Sequence, residues 1–460
     1  MSNITFHFNS ISIDNQSVPL YRLVENMVQK EISAGTLKPG AMLPSSREMA
    51  EQLGVSRKTV VKAMEALILK GRLVSKNRVG VFVPESTFAD TDAPHASQKI
   101  IVNDGFPDTT LIPFKEFSRT YRQIFNRMAQ WQMLGYNDPK GYPKFRQTIS
   151  NVMAQQRGLS VEKDNICVVR GSQMALYIVA HAVFSPGDNI AMEEPGYHNA
   201  YKAFREAGLS VHGIPVDKDG IDVDKLEHLC RTVSLDAVYV TPRHQYPTTV
   251  TLSMPRRQKL RELSLKYGFF VIEDDFGGDY NFSSRHLLPL SAMMPTSHYM
   301  YISTFSKVFA PGTRVGFVCA SPEVMQRIAE YRSLIDIQGD SIAERALYDL
   351  YENGVLARHV RRSCIIYKER MKNATRMIRH ILGNSVEYKQ PHGGLAIWIG
   401  IHTQHTVTQL QKHFSDNGIS IAVHQLADGT KGVRIGYAAM KENDLTSVLE
   451  CIKALPPDNC

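Results

Sequence analysis

The sequence predicts an α/β protein in two parts: a small N-terminal head of three helices and a β-hairpin, then a large body built on a mostly parallel sheet. Three observations predict this. Residues 84–98 (PESTFADTDAPHASQ) are rich in Ser, Thr, Asp, Ala and Pro and lack apolar periodicity, which marks an exposed linker. Before them, helical apolar stripes lead into two short strand-like runs. After them, short runs that are apolar on both faces alternate with helical stretches, the pattern of a parallel sheet covered on both sides. The length of 460 residues suits two or three domains, and 43% hydrophobic with 21% charged residues suits a chain that buries a large core.

In the head, Leu20–Ser33 places Leu20, Leu23, Val24, Met27, Val28 and Ile32 on one helical stripe that stops before Gly35. Ser45 followed by Glu48 forms a capping box for a short second helix, and Gly54 supplies the turn that ends it. Ser56 caps a third helix with Val60, Ala63, Met64, Leu67 and Ile68 inward and Arg57, Lys58, Thr59 and Lys62 outward. Arg72–Ser75 and Val79–Val83 read as two strands joined at a basic tip, Lys76-Asn77-Arg78. Together these elements make a winged helix-turn-helix whose third helix can enter a major groove. Charge agrees. Residues 1–83 hold 11 Lys and Arg against 6 Asp and Glu, a surplus of five in a chain whose total is +8. Double-stranded DNA is the expected partner.

No run approaches the ~18 apolar residues of a membrane span. Met1–Ser10 has neither the basic start nor the apolar core of an export signal, so the expected location is the cytoplasm. The six cysteines are scattered, with no CxxC pair, and neither a disulfide nor a zinc site is expected.

In the body, Ile166–Val169, Ile190–Met192, Val211–Ile214, Ala237–Val240, Phe269–Ile272, Met300–Ser303 and Val315–Cys319 read as strands. Chemistry is expected at their ends. Lys307 lies just beyond one of them, where burial lowers an amine pKa, as a Schiff base to an aldehyde cofactor requires; by itself it reads more readily as a surface lysine. Another strand ends in Glu273-Asp274-Asp275, so a carboxylate can face a protonated pyridine nitrogen, although a turn carboxylate is an equal reading in isolation. Gly171-Ser172-Gln173 opens a helix directly after a strand, where free N–H groups bind phosphate. Thr304, Ser306 and Arg314 flank the lysine and can complete that site. Lysine, acid and phosphate cradle together describe pyridoxal phosphate.

The segment from Pro19 to Val83 resembles the GntR-family winged-helix domain along nearly its whole length, except that SKNRVGVFV replaces the usual Gly-rich wing tip. The resemblance implies Arg47, Arg57, Lys58 and Thr59 as DNA contacts. The body resembles a fold-type I aminotransferase through GYNDPKGYPKFR, RGSQMAL, EEPGYHNA, TPRHQYPT, IEDDF, STFSKVFAPGTRVGF and VRIGY, in that order. The combination is similar to the MocR (GabR-like) regulators, with boundaries at 1–83 for the head, 84–103 for the linker and 104–460 for the body. This implies Lys307 as the Schiff-base lysine, Asp274 as partner of the pyridinium nitrogen, and Tyr197 as the ring stacked on the cofactor. It further implies Ser172, Thr304, Ser306 and Arg314 as phosphate ligands assisted by Gln173, Tyr136 as a phosphate ligand lent to the neighbouring subunit of a homodimer, and Arg434 as the grip on an effector carboxylate.

Departures from the family pattern are also implied. Phe276 stands where a tyrosine usually bonds the cofactor's phenolic oxygen, with Tyr246 and Tyr280 as candidate substitutes. Asn199 replaces the arginine of GABA-sensing members, and Thr249 replaces a glycine. Three readings result: a regulator whose signal is pyridoxal phosphate or an amino compound joined to it; an aminotransferase with an accessory head, disfavoured by Phe276; and a body that has lost the cofactor, disfavoured by Lys307 and Asp274.

Overall fold

In the computed structural model the described residues are 19–69, 72–76, 80–84, 99–126, 135–283 and 287–456. They belong to two compact units, residues 1–98 and 99–460.

The head contains α1 (Leu20–Ser33), α2 (Ser46–Leu53), α3 (Arg57–Leu69), β1 (Val74–Lys76) and β2 (Gly80–Phe82). The expected capping box forms: the Ser45 hydroxyl accepts from the Glu48 N–H while the Glu48 carboxylate accepts from the Ser45 N–H at 2.8 Å. Gly54 ends α2 at φ 66°, a left-handed conformation that favours glycine. Val24, Val28, Met49, Leu53, Val60 and Leu67 pack into one core. That packing turns Arg47, Arg57 and Lys58 to the surface. The strands pair antiparallel from Val74↔Phe82 to Lys76↔Gly80, and the expected tip residues Asn77 and Arg78 lie outside the described residues.

The body opens with β3 (Ile100–Ile101), α4 (Phe114–Asn126) and α5 (Pro143–Arg157). Its main sheet comprises β4 (Ile166–Val169), β5 (Asn189–Glu194), β6 (Ser210–Asp217), β7 (Gly220–Ile221), β8 (Ala237–Val240), β9 (Phe270–Asp275), β10 (Tyr299–Thr304) and β11 (Gly316–Cys319). Between these strands run α6 (Gly171–Val183), α7 (His198–Glu206), α8 (Val223–Cys230) and α9 (Met254–Tyr267). The spatial order is β4-β11-β10-β9-β8-β5-β6-β7, parallel from β10 through β6, with β11 and β7 antiparallel to their neighbours. Every residue of β4, β8, β10 and β11 is buried, which accounts for their apolar runs, broken only by Ser303 and Thr304 at the end of β10. One face packs Phe145, Leu260, Tyr301 and Leu347; the other packs Leu176, Phe204, Ile302 and Ile328.

Three helices follow: α10 (Pro322–Ile335), α11 (Ser341–Glu352) and the long α12 (Val355–Leu382). A second, antiparallel sheet orders β12 (Val386–Tyr388), β13 (Ile397–Ile401), β16 (Lys431–Ile435) and β15 (Val423–Gln425). Around it lie α13 (Val407–Asp416), β14 (Ile419–Ser420) and α14 (Glu442–Lys453), over a third core of Tyr367, Ile397, Phe414, Val433 and Leu449.

One boundary shifts from its expected place. Ile100 donates to Gly418 O at 2.8 Å and Val102 to Ser420 O at 2.9 Å, so residues 100–102, expected in the linker, are bonded into the body. Two consecutive isoleucines are too short a run to announce a strand from sequence.

Replacing Ser45 with Ala removes the acceptor for the Glu48 N–H and should destabilise the head by about 1 kcal/mol. The check is chemical denaturation followed by far-ultraviolet circular dichroism.

Candidate functional site

The predicted residues meet at the C-terminal ends of β9 and β10, where a parallel sheet leaves a crevice. The turn after β10 carries Lys307, whose Nζ donates to Gly105 O at 2.9 Å and lies 4.7 Å from the centre of the Phe106 ring. Burial pushes its pKa down to about 8, countered by Asp104. Lys307, Phe276, His244, Thr249 and Arg434 line one cavity with Gly105 and Gly393-Gly394.

Asp274 ends β9 and is only 3% exposed. Tyr239 Oη donates to its Oδ2 at 3.0 Å, and its Oδ1 is buried with no hydrogen-bond partner. Burial raises the carboxyl pKa to about 7. The flanking acids are bonded differently, although Asp275 Oδ1 also lacks a hydrogen-bond partner. Glu273 accepts from the Leu290 and Ser291 N–H groups and the Ser291 hydroxyl. Asp275 Oδ2 accepts from Arg157 at 2.8 Å and Tyr301 at 2.6 Å; burial opposes its ionisation, yet Arg243 and Arg157 hold its pKa below the usual range.

Away from Asp274, Arg314 adopts φ 49° and reaches across the turn, donating from Nη1 to Ser306 Oγ at 3.3 Å and from Nη2 to Arg170 O at 3.2 Å. Gly171 begins α6 at φ 77°, and a Cβ there would lie 2.7 Å from Arg314 Nη2. Only glycine therefore lets the guanidinium approach the first N–H groups of α6, beside Ser172. Thr304 is occupied otherwise: its hydroxyl donates to Val315 O and accepts from the Ser306 N–H, so it shapes the turn.

The contacts continue in a ring. Tyr197 Oη donates to Gln173 Oε1 at 3.4 Å, and its ring meets Tyr246 edge-on at 5.6 Å. Tyr246 lies under the Arg434 guanidinium at 5.3 Å. Arg434, 5% exposed on β16, donates from Nε to Asp104 O at 2.7 Å and from Nη1 to Pro247 O at 3.0 Å. Asp104 and Gly105 lead back to Lys307. Tyr136 stands apart, 84% exposed. Of the two tyrosines considered as substitutes at Phe276, Tyr280 turns into the third core and donates to Val308 O, whereas Tyr246 faces the site and hydrogen-bonds Asp104. Asn199 Nδ2 donates to Tyr197 Oη at 3.3 Å.

Sequence reasoning missed Tyr239, Asp104, Gly105 and Phe106. A tyrosine in the apolar run AVYV, one strand away from the acids, was the available signal for Tyr239. The other three follow the linker and carry no periodicity.

The residues present fit pyridoxal phosphate. A buried carboxylate oxygen without a partner suits a pyridinium N–H, an amine of lowered pKa lies within its electrostatic reach, and a Gly-opened helix end with Arg314 and Ser306 suits a phosphate.

On the head, Ser56 Oγ accepts from the Thr59 N–H at 3.1 Å and pairs with Thr59 Oγ1 at 2.8 Å. Arg57 Nε donates to Ser46 Oγ at 3.2 Å, which ties the starts of α2 and α3 together and leaves the guanidinium exposed.

Residues 111–452 match the family Aminotransferase class I and II. The chain belongs to this family. Residues 20–83 of this aminotransferase-family chain match the bacterial regulatory proteins of the gntR family, so head and body together have the MocR-type arrangement that the sequence resembles. It is 27% identical to an uncharacterized HTH-type transcriptional regulator, YhdI, of Bacillus subtilis, over 96% of this chain and 97% of that one. It is 28% identical to the probable rhizopine catabolism regulatory protein MocR of Rhizobium meliloti, over 83% and 81% of the two chains. Among solved structures, LysN, an alpha-aminoadipate aminotransferase from Thermus thermophilus complexed with N-(5'-phosphopyridoxyl)-L-leucine, superimposes with a TM-score of 0.70 at 23% identity, over 78% of this chain and 93% of that one.

Two predictions follow from the geometry. Thr249 sits at φ 61°, a left-handed conformation that costs a β-branched residue about 1–2 kcal/mol, so Thr249→Gly should raise the melting temperature. The folded-state pKa of Asp274 is raised from the usual 3.8 to about 7, so its protonated form stabilises the fold at low pH and that contribution is lost as pH rises through 7. Ligand-free protein should therefore lose melting temperature relative to Asp274→Asn between about pH 4 and 7. Parallel melting curves for the two proteins across that window would show the carboxyl to be unperturbed.

Proposed function

We propose that this protein is a DNA-binding transcriptional regulator whose body holds pyridoxal phosphate and senses either the cofactor itself or an amino compound joined to it. The observation that carries the reading is the join between the site and the start of the body. The amine of Lys307 and the guanidinium of Arg434 donate to the adjacent carbonyls of Gly105 and Asp104, a few residues beyond the linker.

Bound pyridoxal phosphate supplies an aldehyde that condenses reversibly with amines and a ring nitrogen that is basic enough to be protonated. Lys307 would hold it; with a pKa near 8, about a tenth of the amine is neutral and nucleophilic at pH 7, far more than in an ordinary lysine. Asp274 Oδ1 would accept from the ring N–H, Arg314, Ser306 and the N–H groups at Ser172 would hold the phosphate, and Tyr197, steadied by Gln173, would lie along the ring. Arg434 would donate two hydrogen bonds to a carboxylate. When Lys307 and Arg434 turn to these partners they release two carbonyls of the segment that leads to the linker. A ligand shifts a conformational equilibrium only through such differential contacts.

Two further features support a homodimer on DNA. Tyr136 is 84% exposed, as suits a side chain lent to a neighbour, and a two-fold body pairs two heads on two half-sites. The cytoplasm is the compartment that fits a DNA-binding protein, and among the described residues no helix is long and apolar enough to cross a membrane. A working aminotransferase is the second reading, favoured by the retained Arg434 and opposed by Phe276, which offers no hydroxyl at the cavity.

Two measurements test the proposal. Arg57→Ala should weaken binding to the regulator's own upstream DNA by about 1–3 kcal/mol if it reads a base edge; unchanged affinity refutes that role. Pyridoxal phosphate should change the affinity or footprint of the parent protein and leave Lys307→Ala unaffected. Repeated release of a keto acid from an amino donor, with DNA binding indifferent to cofactor, would establish the aminotransferase instead.

A further inference from the structure

The helix α12 is charged in a way its fold does not use. Its 28 residues hold eight Lys and Arg against one acid, Glu369. Residues 84–460 sum to only +3, and α12 alone contributes +7, so the remainder of that region is net −4. The surplus lies on one face. Arg358, Arg361, Lys368, Lys372, Arg376 and Arg379 are all exposed, at steps of 3, 7, 4, 4 and 3 residues, which at about 100° per residue confines them to an arc of about 80°. Ile365 interrupts the row and Glu369 flanks it.

Few of these charges are matched. Lys372 pairs with Glu369 at 2.7 Å, while Lys368 and Arg358 donate to the backbone carbonyls of Phe282 and Asn353, which neutralise nothing. Among the described residues, Arg358, Arg361, Lys368, Arg376 and Arg379 have no carboxylate within ion-pair distance. A solvated helix ordinarily intersperses charges of both signs, because like charges three and four residues apart repel. A basic helix can also lie on a membrane, but only by inserting its apolar face. Here that face is committed: Tyr367, Met371, Ala374, Ile378 and Leu382 are buried in the third core.

We infer that the basic face of α12 is a second nucleic-acid surface, on which the body grips the phosphate backbone of duplex DNA outside the bases read by the head. The inference rests on the head's being a DNA reader as proposed above. The six charges span about 30 Å, close to one helical turn of B-form DNA, and bind by neutralising phosphates without regard to sequence. The duplex bound by the head is the polyanion, and the stripe carries the complementary charge.

The test uses the full chain and a mixed-sequence duplex of about 60 base pairs, with affinity measured over a salt series. The triple variant Arg361→Gln, Lys368→Gln, Arg376→Gln should bind more weakly, and its slope of log affinity against log salt should be shallower by about 0.9 for each lost contact. Restoring charge with Arg361→Lys, Lys368, Arg376→Lys should restore the slope, which a merely structural role would not do. An unchanged slope in a triple variant that melts like the parent overturns the inference. So does loss of binding to phosphatidylserine vesicles with duplex binding intact. Failure of the head reading is distinguishable: Arg57→Ala would then bind the regulator's own upstream DNA like the parent, while the triple variant would still lose affinity for the mixed-sequence duplex.

Discussion

The body is organised around a buried carboxylate that its own chain satisfies on one side only. Three consecutive acids end β9, all buried, and each meets a different fate. Glu273 is bonded by two N–H groups and a hydroxyl, and Asp275 is matched by Arg157 and Arg243. Asp274 receives the Tyr239 hydroxyl and nothing at Oδ1. An ionised carboxylate in such a place is costly unless a donor or cation joins it, which is why its pKa rises and why a protonated heterocycle suits the position. The neighbouring network matters for the same reason. Arg157 bridges Asp275 and Asp279, fixing both sides of the Phe276–Gly278 turn that borders the cavity. Asp274 Oδ1 and Asp275 Oδ1 are both left without a hydrogen-bond partner, but only Asp275 has guanidinium groups in ion-pair contact.

The proposed sensing also needs the site joined to the rest of the chain. Lys307 and Arg434 come from different sheets, the first after β10 and the second from β16, yet they converge on two adjacent carbonyls at the start of the body. That segment is in turn tied to β14 through β3. Two side chains that line the site are therefore hydrogen-bonded to the stretch of chain that continues toward the head, which is the coupling that the proposed sensing requires.

Much of this was legible in the sequence because local chemistry agreed with the global fold. The head's helices follow their apolar stripes and caps: Ser45 with Glu48, and Gly54 with its positive φ, are each specified by residue type alone. The strands of the main sheet were legible because burial on both faces gives each an apolar run, as in ICVV and AVYV. Lys307 was expected just beyond such a strand, Asp274 at the end of another, and Ser306 and Arg314 flanking the lysine. What remained hidden depended on contacts between distant segments. Tyr239 looks like another apolar strand residue until β8 is laid beside β9. Gly105 acts through its backbone carbonyl, and Asp104 through its carbonyl as well as its carboxylate, and no side-chain periodicity marks either. Thr304, expected on a phosphate, spends its hydroxyl on its own turn, and Tyr280, one of two candidate substitutes at Phe276, faces the wrong core. Position 249 shows the reverse: a threonine in place of glycine proved to occupy a glycine-favouring backbone conformation.

The most direct measurement is to incubate the purified protein with pyridoxal phosphate, reduce it with borohydride and map the peptides by mass spectrometry. The account requires one phosphopyridoxyl adduct, carried by the peptide containing Lys307 and depleted when Asp274 is replaced by Asn. Adducts scattered over surface lysines, with none at Lys307, would contradict it.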